Sequence, residues 1–133
     1  MSQQTPIRVL SVDDHPLVRE AIRMIIELQP DMILVGIASN GTEGIRKFKE
    51  LRPDVTLMDL RMPDLSGIEA SIVILAETPA AKIIILTTFD DDVEAQRAYD
   101  AGACGYLLKS IPPKELADAI RQSYLGKKPD RIK

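Results

Sequence analysis

Apolar residues fall into five short blocks along the chain, and each block is followed by a longer stretch in which they recur every three to four positions. Blocks of four to eight residues read as buried strands, and the 3.6-residue spacing between them reads as amphipathic helices. Residues 7–12 form the first block. A helix follows from Pro16 to about residue 29, with Leu17, Ala21, Met24/Ile25 and Leu28 on a face able to cover a sheet, and Pro30 ends it. Residues 32–38 predict the second strand, Ser39-Asn40-Gly41 a turn, and residues 42–51 the second helix. After Pro53-Asp54 comes a third strand over 55–58, and a polar loop over 59–67 separates it from a helix over 68–76.

Thr78-Pro79 leads into a fourth strand over 82–86. Asp90-Asp91-Asp92 then offers acceptors to the open N–H groups of the next helix, and Gly102 stops that helix. Residues 105–108 make the fifth strand. Pro112-Pro113 opens a last helix through Leu125, with Leu116, Ala119/Ile120 and Ser123 facing inward. Five strands alternating with five helices predict an α/β fold: a doubly wound parallel sheet in flavodoxin-like order 2-1-3-4-5, helices on both faces. A barrel would need eight such units.

In an open parallel sheet the C-terminal strand ends line one crevice, so distant residues become neighbours there. The ends of four blocks carry polar chemistry: Asp13-Asp14, Asp59, Thr87-Thr88 and Lys109. Bare carboxylates of Asp13, Asp14 and Asp59 would repel one another. A divalent cation relieves this, and oxygen ligands suit Mg²⁺, with Mn²⁺ able to substitute; no Cys or His cluster suggests zinc or copper. Asp59 can act as a nucleophile toward a phosphoryl group, the metal and Lys109 balancing the new charge and Thr87 contacting a phosphoryl oxygen. His15 adjoins the acids but precedes Pro16 at a helix start, so it reads first as a local cap or surface residue and second as an influence on the site.

Composition narrows the setting. The chain has 133 residues, 45% of them hydrophobic and 28% charged, which fits one globular domain over 7–125, a short arm over 1–6, and a tail or linker start over 126–133. A net charge of −3 gives this segment no general attraction to nucleic acid. Cys104 stands alone and reads as a small packed side chain. Neither a signal-like start nor a membrane-length apolar run is present, so we expect a cytoplasmic protein without membrane contact. The glycine signatures of nucleotide-binding loops are also missing.

Residues 12–16 (Val-Asp-Asp-His-Pro), 57–63 (Leu-Met-Asp-Leu-Arg-Met-Pro), 85–89 (Ile-Leu-Thr-Thr-Phe) and 105–109 (Gly-Tyr-Leu-Leu-Lys) together resemble the receiver domain of bacterial two-component response regulators. The wording is most similar to receivers that precede a LuxR-type helix-turn-helix output domain. The resemblance implies that Asp59 takes a phosphoryl group from a sensor histidine kinase. It further implies Mg²⁺ held by Asp13, Asp14, Asp59 and the Arg61 backbone carbonyl, and a phosphoryl group contacted by Thr87, the Thr88 backbone and Lys109. Thr87 and Tyr106 would then act as the switch, with homodimerisation on phosphorylation and transcriptional control through a DNA-binding domain absent from this chain. Ser66 and Thr88 depart from common family choices, and Thr88 would narrow access to the acyl phosphate. A stand-alone receiver acting through protein contacts is the alternative. A Mg²⁺-dependent aspartyl-phosphate phosphohydrolase ranks lower, because Arg61 stands where such enzymes place an acid-base group.

Overall fold

The computed structural model describes residues 5–129; the outer parts of the expected arm and tail, residues 1–4 and 130–133, lie outside the described residues. The chain alternates β1 (Ile7–Val12), α1 (Pro16–Glu27), β2 (Met32–Ala38), α2 (Gly41–Leu51), β3 (Val55–Asp59), α3 (Gly67–Glu77), β4 (Ile83–Thr87), α4 (Asp92–Asp100), β5 (Gly105–Leu108) and α5 (Pro113–Tyr124). All strand pairs are parallel, and the sheet order is β2-β1-β3-β4-β5. This is the doubly wound order expected from the alternation of blocks.

Two apolar layers sandwich the sheet. On one face Leu10, Met58, Ile83 and Ile85 meet Phe48 of α2, Ile68 and Ile74 of α3, and Ala95 and Ala98 of α4. On the other, Val9, Leu57, Ile84 and Leu86 meet Ile22 and Ile26 of α1 and Leu116, Ala117 and Ile120 of α5. Strands β3 and β4 are buried along their whole length, as near-continuous apolar runs require when helices cover both faces. Among the described residues no helix is long and apolar enough to cross a membrane.

One helix face differs from its reading in sequence at all but Ile25. The inward stripe of α1 is Val18, Ile22, Ile25 and Ile26, while Leu17, Ala21, Met24 and Leu28 are exposed, Leu17 to 86%. Both rows are apolar at helical spacing, so periodicity could not choose between them; packing against the sheet and α5 does. The stripe of α5 matches its reading, with Leu116, Ala119, Ile120 and Ser123 buried.

Local chemistry fixes the remaining boundaries. Asp91 caps α4, its carboxylate accepting from the N–H groups of Val93 and Glu94, and Gly102 follows α4 at φ 103, a left-handed turn open to glycine. Ser66 and Glu69 form a capping box at the start of α3. Cys104 is half-buried, its thiol 3.3 Å from the Ile83 carbonyl and 3.3 Å from Ser123 Oγ.

Candidate functional site

Each strand end reaches the crevice through its own backbone ladder. Asp13 follows β1 and donates its N–H to the Ala38 carbonyl of β2; Asp59 closes β3 opposite Leu86; Lys109 follows β5 and donates its N–H to the Thr87 carbonyl. The β3–α3 loop is fastened just as firmly. Gly67 donates to the Leu60 carbonyl at 2.7 Å, and a Cβ at Gly67 would collide with the Asp59 carbonyl. Further out, Asp64 accepts from Gly41 N–H, Thr42 N–H and the Thr42 hydroxyl at 2.9, 2.8 and 2.6 Å, tying the loop to the open end of α2. Those hydrogen bonds, led by the Thr42 hydroxyl, hold the Asp64 carboxyl far below the ordinary carboxylate range.

Asp13 and Asp59 are almost fully buried. Lys109 Nζ bridges them, 2.9 Å from Asp13 Oδ2 and 3.0 Å from Asp59 Oδ1. Asp14 lies at the rim. A single cation does not balance three acids: burial, reinforced by the neighbouring carboxylates, lifts Asp59 to about 6 even though Lys109 pulls the other way. Burial opposes the charge on Lys109, but its pairing with Asp13 and Asp59 outweighs that and raises its pKa.

The cluster has unsatisfied capacity. Among the described residues, none donates a hydrogen bond to the buried Asp59 Oδ2 or Asp14 Oδ1, and Asp13, Asp14, His15 and Asp59 each present a ligand atom within 4.8 Å of the others. Buried anionic oxygens without donors are the residues' own argument for a small hard cation. The donor set therefore fits a divalent metal. Arg61 N–H sits 3.4 Å from Asp59 Oδ1, so the backbone after Asp59 turns back along the same carboxylate.

The structure brings Asp13, Asp14, Asp59 and Lys109 together. Thr87 is buried one residue beyond the pair Asp59–Leu86, its hydroxyl accepting from Phe89 N–H at 3.3 Å. Thr88 is exposed at the rim. Tyr106 is buried, and its hydroxyl donates to the Phe89 carbonyl at 3.3 Å, so the β4–α4 turn is held by both Thr87 and Tyr106.

The structure bears out one part of the reading of His15, its place at the surface, and not the other, the cap. Its side chain makes no cap on α1; instead Nδ1 points among the acids, 3.1 Å from Asp13 Oδ1, 3.0 Å from Asp14 Oδ1 and 3.8 Å from Asp59 Oδ2. Adjacency to Asp13-Asp14 was the available signal. Asp64 was missed because its partners Gly41 and Thr42 lie more than twenty residues away.

The profile of the response regulator receiver domain matches residues 9–121. The chain belongs to that family. Among curated relatives, the receiver is 48% identical over 120 residues to the transcriptional regulatory protein LiaR of Bacillus subtilis and 44% identical over 120 residues to the response regulator protein VraR of Staphylococcus aureus. Both alignments cover 90% of this chain and 57% of the relative, so the chain spans a little over half the length of these proteins. A solved two-component response regulator of the LuxR family from Aurantimonas superposes with a TM-score of 0.90 at 38% identity, covering 96% of this chain and 90% of that one. The signal receiver domain of a NarL-type regulator from Mycobacterium tuberculosis superposes at 0.89 with 28% identity over 92% of this chain and 99% of that one. The chain is thus a receiver domain, not a classical catalytic enzyme domain, and is related to response regulators of the LuxR family.

Proposed function

We propose that this receiver accepts a phosphoryl group on Asp59 from the phosphohistidine of a sensor kinase. A carboxylate oxygen of Asp59 forms the new O–P bond as the N–P bond to the kinase histidine breaks. The observation that carries this reading is the buried Asp59 carboxylate, with Lys109 on one oxygen and, among the described residues, no hydrogen-bond donor on the other, Oδ2. Asp13, Asp14, Asp59 and the Arg61 carbonyl are the residues suited to hold Mg²⁺ or Mn²⁺, which when bound supplies charge neutralisation for the transferring group. Lys109 stays beside the phosphoryl oxygens. Thr87 gives up Phe89 N–H to reach the phosphoryl group with the Thr88 backbone, loosening the turn that Tyr106 also holds.

Residues 7–125 form the receiver, and the segment from 126 begins the connection to a LuxR-type DNA-binding domain outside this chain. Phosphorylation then drives homodimerisation and transcriptional control in the cytoplasm. Acetyl phosphate with Mg²⁺ and intact-mass measurement test the acceptor role: one phosphoryl mass is expected on the parent and none on Asp59→Ala. An unmodified parent overturns the reading.

A further inference from the structure

Of the groups in the crevice, His15 has no part in the transfer chemistry set out above, and its position is not that of a bystander. Pro16 holds His15 in an extended backbone (φ −97°, ψ 114°), and the carbonyl of His15 accepts from Arg19 N–H to begin α1. The side chain is free of any capping duty. It turns back over the end of β1, where Nδ1 stands 3.0 to 3.8 Å from one oxygen each of Asp13, Asp14 and Asp59. Of the three contacts, the one with Asp13 Oδ1 is aligned as a hydrogen bond; among the described residues Asp14 Oδ1 and Asp59 Oδ2 have no hydrogen-bond donor. The ring is 59% exposed, so little packing resists its rotation outward.

We propose that His15 is a built-in placeholder for the cation: its ring fills the gap between the three carboxylates while the metal is absent and must swing into solvent for the metal to enter. This inference rests on the cation reading of the site given above. Two physical points carry it. The ring nitrogen and a small dication both need the same inward-facing oxygens, and three carboxylates with one bridging ammonium, Lys109, are under-compensated in charge, so a polar group in the gap is favoured. His15 is the one imidazole in the chain, and its Nδ1 lies within 4 Å of an oxygen of all three carboxylates. The side chain thereby sets how readily the receiver becomes competent for phosphoryl transfer.

Competition and ligation have opposite signs. Isothermal titration of the metal-free protein with MgCl₂ at one fixed pH should show His15→Ala binding Mg²⁺ roughly tenfold more tightly than the parent, the worth of one hydrogen bond to a charged group. The backbone bond from residue 15 N–H to Asp13 Oδ1, 2.8 Å here, survives the substitution, so the β1–α1 turn is kept. With a single histidine, the imidazole ¹⁵N spectrum reports one ring, and saturating Mg²⁺ should move both ring nitrogens toward solvent-exposed values. Equal or weaker Mg²⁺ binding by the variant, or ring signals unmoved by Mg²⁺, overturns the placeholder role while leaving the cation site standing. Absence of Mg²⁺ binding by the parent overturns both.

Discussion

Replacing Asp59 with Asn should stabilise the metal-free protein, although Asp59 is the residue on which function depends. Burial of its carboxyl beside Asp13 and Asp14 raises its pKa from 3.8 to about 6, a little over two units. At 1.36 kcal/mol per unit, the ionised form costs the folded state about 3 kcal/mol. The native state binds this proton more tightly than the unfolded chain, so stability falls as pH rises from about 4 to about 6 and stays lower above that. Asn mimics the protonated carboxyl. Some of the gain is returned because Lys109 loses one partner, though its contact with Asp13 at 2.9 Å remains. The net expectation is a variant more stable than the parent by about 1–3 kcal/mol at pH 7.5 in EDTA, with the two converging below pH 4. Urea unfolding followed by far-ultraviolet circular dichroism measures this, the chain having no Trp to report by fluorescence. An Asn variant less stable than the parent, or a difference that does not change with pH, would refute the argument that the three carboxylates repel one another in the metal-free protein.

Three further outcomes follow from the same geometry. Lys109→Met leaves Asp13 and Asp59 without their bridging ammonium, so it should destabilise by about 3 kcal/mol near pH 7.5 and by much less at pH 5, where Asp59 takes up a proton; denaturant melts at the two pH values compare them. Asp64→Ala removes the acceptor for Gly41 and Thr42 at the start of α2 and should lower stability by about 1–2 kcal/mol, read as a drop in thermal midpoint. Gly67→Ala forces a Cβ against the Asp59 carbonyl and should cost about 3 kcal/mol in a urea melt; a neutral result would mean the β3–α3 loop moves freely.

The fold was legible because its strands are nearly unbroken apolar runs. Residues 83–87 could be nothing but interior once helical periods flanked them on both sides, and parallel connectivity followed from the crossovers. Boundaries drifted by a residue or two, as with Asp59, which belongs to β3 itself, and Thr87, which belongs to β4. The face of α1 failed for a physical reason: Leu17–Ala21–Met24–Leu28 and Val18–Ile22–Ile25 are both apolar rows, and only packing against β1 and α5 selects the second. At the site, the acids and Lys109 were visible as strand-end chemistry. The aim of the His15 ring and the reach of Asp64 to α2 were not, since each depends on a backbone turn whose partners are set by tertiary contact.

The acceptor role of Asp59 is tested most directly by trapping the bond itself. The receiver is treated with acetyl phosphate and Mg²⁺, reduced with borohydride, digested and sequenced by tandem mass spectrometry. An aspartyl phosphate is reduced to homoserine, so the account predicts that conversion at position 59 alone. Conversion at Asp13 or Asp14, or intact Asp59 in a sample that carries phosphoryl mass, would contradict it.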